Sequence, residues 1–243
     1  MAFARSYWIP DLSHRALLSE FMDDITADEK PLFTTLKDFK TINRFVSQTP
    51  RVLRETIIAD IHRRKASEVT FLDIAAGGCD TGLWFARYCH KHGIACKVYC
   101  LDKDPRAIAY AREVCRDEPT LSFIESDVRN IAKLELKVDY AFTNHFFHHL
   151  EDHDIPDVFR IIRDCSRFGF VVHDLHRHSI WFLGFTLLGS ILWRGGFTFV
   201  DGRTSIRRGF KHQELIAYIK LAQVDATISQ SGLGHWLVTN IQK

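Results

Sequence analysis

Residues 69–89 read VTFLDIAAGGCDTGLWFARYC. Val69, Thr70, Phe71 and Leu72 form a β-type run that ends on Asp73. The small residues Ala75-Ala76-Gly77-Gly78-Cys79 follow, and then TGLWFARYCHKHG places its apolar residues at helical spacing up to Gly93. A turn of small residues lets the backbone approach a ligand closely. The helix start beyond it offers free N–H groups and the positive end of a dipole. From Ala75 the loop reads A-A-G-G-C-D, whereas a dinucleotide fingerprint needs G-x-G-x-x-G and a P-loop needs a closing Gly-Lys-Ser/Thr. Both fail, which weakens dehydrogenase and nucleotide-hydrolase readings. A tight turn with no ligand is the plain alternative.

Downstream, the same alternation repeats. IACKVYCLD reads as a strand, DPRAIAYAREVCRD as a helix with Pro105 in its first turn, and LSFIESD as a strand. VDYAFTNHF, IPDVFRIIRDCSR and FGFVVHDL then read as strand, helix and strand. Such alternation predicts right-handed βαβ units around a parallel sheet, and the near-continuous apolar strands fit burial on both faces.

Upstream, residues 1–66 read as a helical cap. LSHRALLSEFMDDI and LFTTLKDFKTINRFV show three- and four-residue apolar spacing, and Pro50 is placed to start a third helix through RVLRETIIADIHRRK. Residues 67–175 form the predicted Rossmann-like core. Residues 176–209 break the alternation and read as a helical, aromatic, Gly-punctuated insertion. Residues 210–243 resume the core with one helix and two strands. The 14 residues from Ile180 to Trp193 are apolar but rise only about 21 Å as a helix, short of the roughly 30 Å hydrocarbon core, so no membrane span is expected.

Charge balance points away from nucleic acid: 32 basic against 30 acidic residues, a formal net charge of +2. The N-terminal MAFARSYWIPDLSHR has no apolar h-region, which reads as no signal peptide and a cytoplasmic protein. The six cysteines form no CxxC and are expected to be free thiols.

Four polar signals fall at predicted C-terminal strand ends, where open α/β sheets bind ligands. Asp73 ends the first strand. Asp102 ends the second and can accept bonds from ribose hydroxyls, while Asp104, before Pro105, suits a helix N-cap. Asp127 ends the third and can accept from an exocyclic amine. Asn144 and His145 end the fourth, with His148 and His149 just beyond.

With these residues in place the chain resembles the class I S-adenosylmethionine-dependent methyltransferases. The likeness rests on Leu72-Asp73-Ile74-Ala75-Ala76-Gly77-Gly78, Leu101-Asp102-Lys103-Asp104-Pro105, Ser126-Asp127-Val128 and the HHLED segment from His148 to Asp152. It covers about 69–175 and resumes from Phe210. More closely, TINRF in the cap, VVHDLHRHSIWFL after the fifth strand and DGRTSIRRGF before the last helix are similar to a bacterial branch acting on phenolic or polyketide-type acceptors. The resemblance implies a seven-stranded sheet, mostly parallel, with its last strand antiparallel. It implies S-adenosylmethionine laid across the strand ends. Asp73, Ala75, Ala76 and Gly77 would meet the methionine part, Asp102 with Lys103 the ribose side, Asp127 and Val128 the adenine, and Asn144 the transferable methyl. Ala75 departs from the family's first glycine by one methyl group. Cys79 stands at its third small position with the bulk of a thiol. A sulfonium cofactor carries no pyrophosphate, so the loop need not wrap as tightly. The last helix departs too, with Lys211 and His212 where a Ser/Thr cap would help.

A general base is expected among His145, His148 and His173, with Asp174 beside the last. Alignment alone can also carry methyl transfer. Acceptor contacts are expected from Arg44, His149, Trp181 and Phe185, the last two on a helical lid at 178–197. Imidazoles and carboxylates are dense, but no H-x₃-H or HExxH pair stands on a predicted helix, so no metal is expected. The reading is a methyltransferase for a small aromatic, hydroxylated acceptor, monomeric or homodimeric. The alternative is a non-catalytic cofactor-binding subunit.

Overall fold

A computed structural model describes residues 10–193 and 195–242. Its centre is a seven-stranded sheet: β1 Glu68–Ile74, β2 Ala95–Asp102, β3 Leu121–Glu125, β4 Val138–Asn144, β5 Ser166–Leu175, β6 Thr227–Ser231 and β7 His235–Thr239. The strand order is β3-β2-β1-β4-β5-β7-β6, and β7 runs antiparallel to both of its neighbours. This is the Rossmann-like sheet expected from the sequence. Register puts Asp73 beside Cys100 and Phe142, and Asn144 beside His173. The polar strand ends therefore share one edge.

Both faces of the sheet are covered, as near-continuous apolar strands require. Helix α1 spans Glu29–Phe45; α2 is the contiguous run Thr49–Leu53, the π-helical Arg54–Ile58 and Ala59–Arg64; α3 spans Asp80–Lys91. Phe71 of β1 joins Leu53 and Ile57 of α2 and Phe85 of α3 on one side, its ring stacked 4.1 Å from Phe85. Its neighbour Leu72 points the other way. It belongs to the core on that side, with Phe159 and Ile162 of α5, Ile155–Cys165, and Leu215 and Ile219 of α8, His212–Ala222. Helix α4, Pro105–Val114, is capped by the Asp104 carboxylate, which accepts from the Arg106 N–H at 2.8 Å. The uncapped start of α8 is served from within: Glu214 reaches back to accept the Lys211 N–H at 2.8 Å.

The insertion holds α6, Ser179–Leu192, and α7, Thr198–Arg208, packed against each other. Arg194 lies outside the described residues. Helix α6 is not buried all round. Ile180, Leu187 and Ile191 lie on an exposed face. Among the described residues, no helix is long and apolar enough to cross a membrane.

Two expectations are overturned. The helix expected over 12–25 is absent, and only Phe21–Asp23 forms one 3₁₀ turn. The segment is a strap whose backbone bonds elsewhere: the Ala16 N–H to the Arg207 carbonyl, and those of Phe21 and Met22 to the Asp201 carboxylate. The apolar spacing misled because Leu17 and Leu18 face outward. The cysteines are also not all free. Cys79 and Cys100 are joined in a disulfide, Cα atoms 6.3 Å apart, where the turn after β1 crosses the end of β2. Cys89, Cys96, Cys115 and Cys165 remain thiols.

Candidate functional site

The strand ends open into a cavity of about 740 Å³, within the range of small-molecule and cofactor sites. One wall is the turn after β1. Ala75 and Gly77 adopt left-handed backbone (φ 55° and 51°), which turns the chain over the sheet edge. A Cβ on Gly77 would stand 3.3 Å from Leu36 of α1, so the cap presses on the loop from outside. Cys79 is also left-handed (φ 58°) but fully buried, its sulfur turned under the loop toward Cys100. The thiol bulk expected inside the loop is therefore outside the ligand space.

Four carboxylates, Asp102, Asp73, Asp80 and Asp127, line this side of the cavity. Asp102 accepts the Gly77 N–H at 2.8 Å and the Asp104 N–H at 2.9 Å, tying the first loop to the second. Burial pushes its carboxyl above the usual range. Asp73 accepts the Gly82 N–H at 2.9 Å, and Asp80 is held by the Asn43 amide at 3.2 Å. Burial, then the charge of Asp80, push Asp73 well above an ordinary carboxylate, and burial raises Asp80 too. A buried pair of like charges is relieved by a cation, so this corner suits a ligand that carries positive charge. Asp127 accepts from Arg129 through its backbone N–H at 2.8 Å and its guanidinium at 2.7 and 2.9 Å. Val128 and Lys103 line the cavity beside it.

The β4 end is a chain of amides and imidazoles. Asn144 donates to Asn43 Oδ1 at 2.8 Å and accepts from His173 Nδ1 at 2.8 Å. His145 turns sharply (φ 52°), and its Nε2 lies 2.6 Å from His235 Nε2. His235 Nδ1 donates to the Leu233 carbonyl at 2.8 Å, so its Nε2 is the acceptor and His145 Nε2 the donor. That fixes His145 Nδ1 as a lone pair. Burial, then the neighbouring His235, hold His145 well below the ordinary histidine range, so it is neutral at pH 7. His173 is neutral for the same reasons, with no exposure and no place on the cavity wall.

Residues 71–169 match the family model described as the methyltransferase domain. That stretch runs from β1 into β5 and holds the whole cofactor-side wall from Asp73 to Asn144. Over that stretch the chain is similar to methyltransferase domains. Solved structures agree in fold. A SAM-dependent methyltransferase from Aquifex aeolicus superposes with a TM-score of 0.56 at 14% identity, over 88% of this chain and 98% of its own. Magnesium protoporphyrin IX methyltransferase from Synechocystis, solved with bound SAH, gives 0.52 at 13% identity over 81% and 83%. A Nostoc punctiforme protein assigned as an O-methyltransferase gives 0.58 at 14% identity over 96% and 68%. No curated protein matches the chain in sequence.

The remaining expected residues of this methyltransferase fold divide sharply. His148 is not placed to be a base. Burial opposes its charge, but the Asp174 carboxylate, 2.7 Å from Nδ1, and then Glu20 raise it to about 9. It is an imidazolium at neutral pH. His149 lines the cavity and bonds to Asp23 at 2.8 Å. Trp181 and Phe185 line it from α6, and Phe185 stacks on Trp193 at 5.3 Å. Arg44 does not reach the cavity. It is exposed and lies over the Phe45 ring, whereas Asn43, one helical step round α1, faces in. Three residues were missed: Asn43, Asp80 and His235. Asp80 had a signal, an acid at the start of α3. His235 had none, because its partner His145 is 90 residues away.

Proposed function

We propose that the protein methylates a small, aromatic, hydroxylated acceptor at oxygen, in the manner of the bacterial small-molecule methyltransferases it resembles. One observation carries the cofactor side: the buried Asp73–Asp80 pair beside the Asp102-braced loop, on the wall of a cavity of about 740 Å³. S-adenosylmethionine supplies a methyl group on a positively charged sulfur, and its cationic methionine end suits that corner. Asp102 then serves the ribose, with Lys103 at the rim. The outer lone pairs of Asp127 and the apolar Val128 serve the adenine, and Asn144 flanks the methyl.

The acceptor enters between His145 and the aromatic lid. His145 Nδ1 takes the hydroxyl proton, because it is the neutral imidazole nitrogen left to accept on the cavity wall. Trp181 and Phe185 hold the acceptor ring and exclude water. The test is transfer of a labelled methyl group from S-adenosylmethionine to a panel of phenols, quinols and carboxylic acids. A phenol or quinol should become labelled, and His145→Ala should lower turnover by roughly 10²–10⁴-fold with S-adenosylhomocysteine affinity unchanged. Binding of S-adenosylhomocysteine with no labelled product from any acceptor class would overturn the enzymatic reading.

A further inference from the structure

The strap side of the cavity carries a second cluster, next to the second loop where Asp23 lies 3.9 Å from Lys103. His148 and His149 sit on one 3₁₀ turn, Phe147–His149, and Glu20 comes from the strap. The Nε2 of His148 is 3.5 Å from Glu20 Oε1, and the Nε2 of His149 is 3.7 Å from Oε2. The two nitrogens and a carboxylate oxygen lie within 4.8 Å of one another. Each ring is oriented from behind by its own carboxylate. His148 Nδ1 bonds to Asp174 at 2.7 Å and His149 Nδ1 to Asp23 at 2.8 Å, so both rings direct Nε2 at Glu20. His148 Nε2 is buried and has no hydrogen-bond partner among the described residues. A buried polar atom without a partner is costly, and here it is aimed at a buried acid.

We propose that Glu20, His148 and His149 bind one divalent transition-metal ion of the zinc type. Two imidazoles and a carboxylate are a donor set such ions favour, and ligand bonds of about 2.0–2.2 Å in tetrahedral geometry put donors roughly 3.3–3.6 Å apart. The carboxylates behind each imidazole are the outer partners that fix the tautomer of a metal-bound histidine. The frame is held independently. Arg208 donates to the carbonyls of His148 and His149 at 2.8 and 2.9 Å, and Ser205 Oγ donates to Glu20 at 2.9 Å. With each Nδ1 bonded to its own carboxylate, each Nε2 is the nitrogen that meets the ion, and the ion neutralises Glu20. All three ligands line the cavity, which leaves the fourth position open to it. That position takes an acidic oxygen of the ligand that occupies the cavity, such as a phenol or enol, whose proton passes to His145 Nδ1, the base proposed above, as the oxygen coordinates. This last role rests on the methyltransferase reading; ion binding does not.

The test uses the full chain, stripped with a chelator and titrated with Zn²⁺ and with Co²⁺. One ion per chain is expected, with the visible absorption of four-coordinate Co²⁺, and a phenolic ligand should perturb that spectrum. Glu20→Gln and His149→Ala should abolish the Co²⁺ band while S-adenosylhomocysteine still binds. Asp23→Asn should weaken the ion by about 10–100-fold. His149 is partly exposed, so its variant tests the site even where Glu20→Gln fails to fold. Absence of stoichiometric binding, or unchanged affinity in His149→Ala, would overturn the site. A bound ion without S-adenosylhomocysteine binding would instead sink the function proposed above and leave the site standing.

Discussion

The cavity has two walls built on different principles. On the cofactor side, acids at strand ends brace the backbone: Asp102 holds two N–H groups, and Asp73 one. On the strap side, acids brace imidazoles: Asp174 holds His148, and Asp23 holds His149. The first wall is assembled from consecutive βα units, so its parts are neighbours along the chain as well as in space. The second joins Glu20 to a turn more than a hundred residues later, fastened by arginines. Arg15 donates to the His148 and Leu150 carbonyls at 3.0 and 2.9 Å, and Arg177 reaches Glu214 at 2.5 Å and the Leu12 and Ser13 carbonyls. A wall of backbone loops presents a fixed shape to a cofactor. A wall of charged side chains can be changed residue by residue.

The comparison breaks most visibly at Asp102. Asp102→Ala removes the acceptor of two backbone N–H groups together with the proposed ribose contact. Bonds to a charged acceptor contribute about 1.5–3 kcal/mol each, so S-adenosylhomocysteine affinity should fall by at least roughly 10²-fold. Calorimetric titration of a variant whose circular dichroism is native checks this. Unchanged affinity would mean that the loop holds its shape without that carboxylate.

That first wall was readable because its chemistry is local. A polar residue at or close to the end of an apolar strand recurs at each junction, Asp73, Asp102, Asp127 and Asn144, and sheet geometry brings the junctions to one edge. The strap wall was not readable. The apolar spacing around Leu17 and Phe21 mimics a helix, while what decides its conformation is that Asp201 and Arg207, from a distant helix, accept its N–H groups. Arg44 was expected at the site and Asn43 occupies it, because one residue is about 100° of helix. Cys79 looked like an obstruction to the loop. Its left-handed backbone turns the sulfur under the loop to meet Cys100, a pairing that depends on where β2 lies.

A pH titration separates the walls with a smaller effect. Burial lowers His235 to about 4, and His145 and His173 are held low as well. Asp174 and His148 are the charged groups nearest this chain of rings. Depressed folded pKa values mean that the unfolded chain takes up protons first as pH falls below about 6.5. The stability from neutral imidazoles is thus full above 6.5 and lost as pH falls from 6.5 toward 4. Each group contributes a slope of at most about 1.4 kcal/mol per pH unit in that window. Denaturant midpoints measured between pH 7 and 4 should fall, and His235→Asn should flatten the fall. A pH-independent midpoint would place the rings in contact with water.

The smallest effect is expected at α6, which borders the proposed acceptor site. Trp181 packs over Gly234, whose added Cβ would come within 2.6 Å of the indole, and Phe185 over Gly202, where the approach would be 2.3 Å. Both rings are thus pressed inward by positions that tolerate no side chain, toward the cavity they line. The outer face of the same helix carries Ile180, Leu187 and Ile191 in the open. An inner aromatic face can serve an acceptor, and an outer apolar face can serve a second copy of the chain. Trp181→Ala and Phe185→Ala tell these uses apart, because they change only the inner face. Loss of one ring contact contributes about 1–1.5 kcal/mol, so the acceptor KM should rise roughly tenfold. S-adenosylhomocysteine affinity should not move, because its wall is made of backbone from other strands. If sedimentation shows a changed oligomeric state while acceptor kinetics stay as in the wild type, the inner face is packing for an interface. Acceptor choice would then rest on the histidines alone.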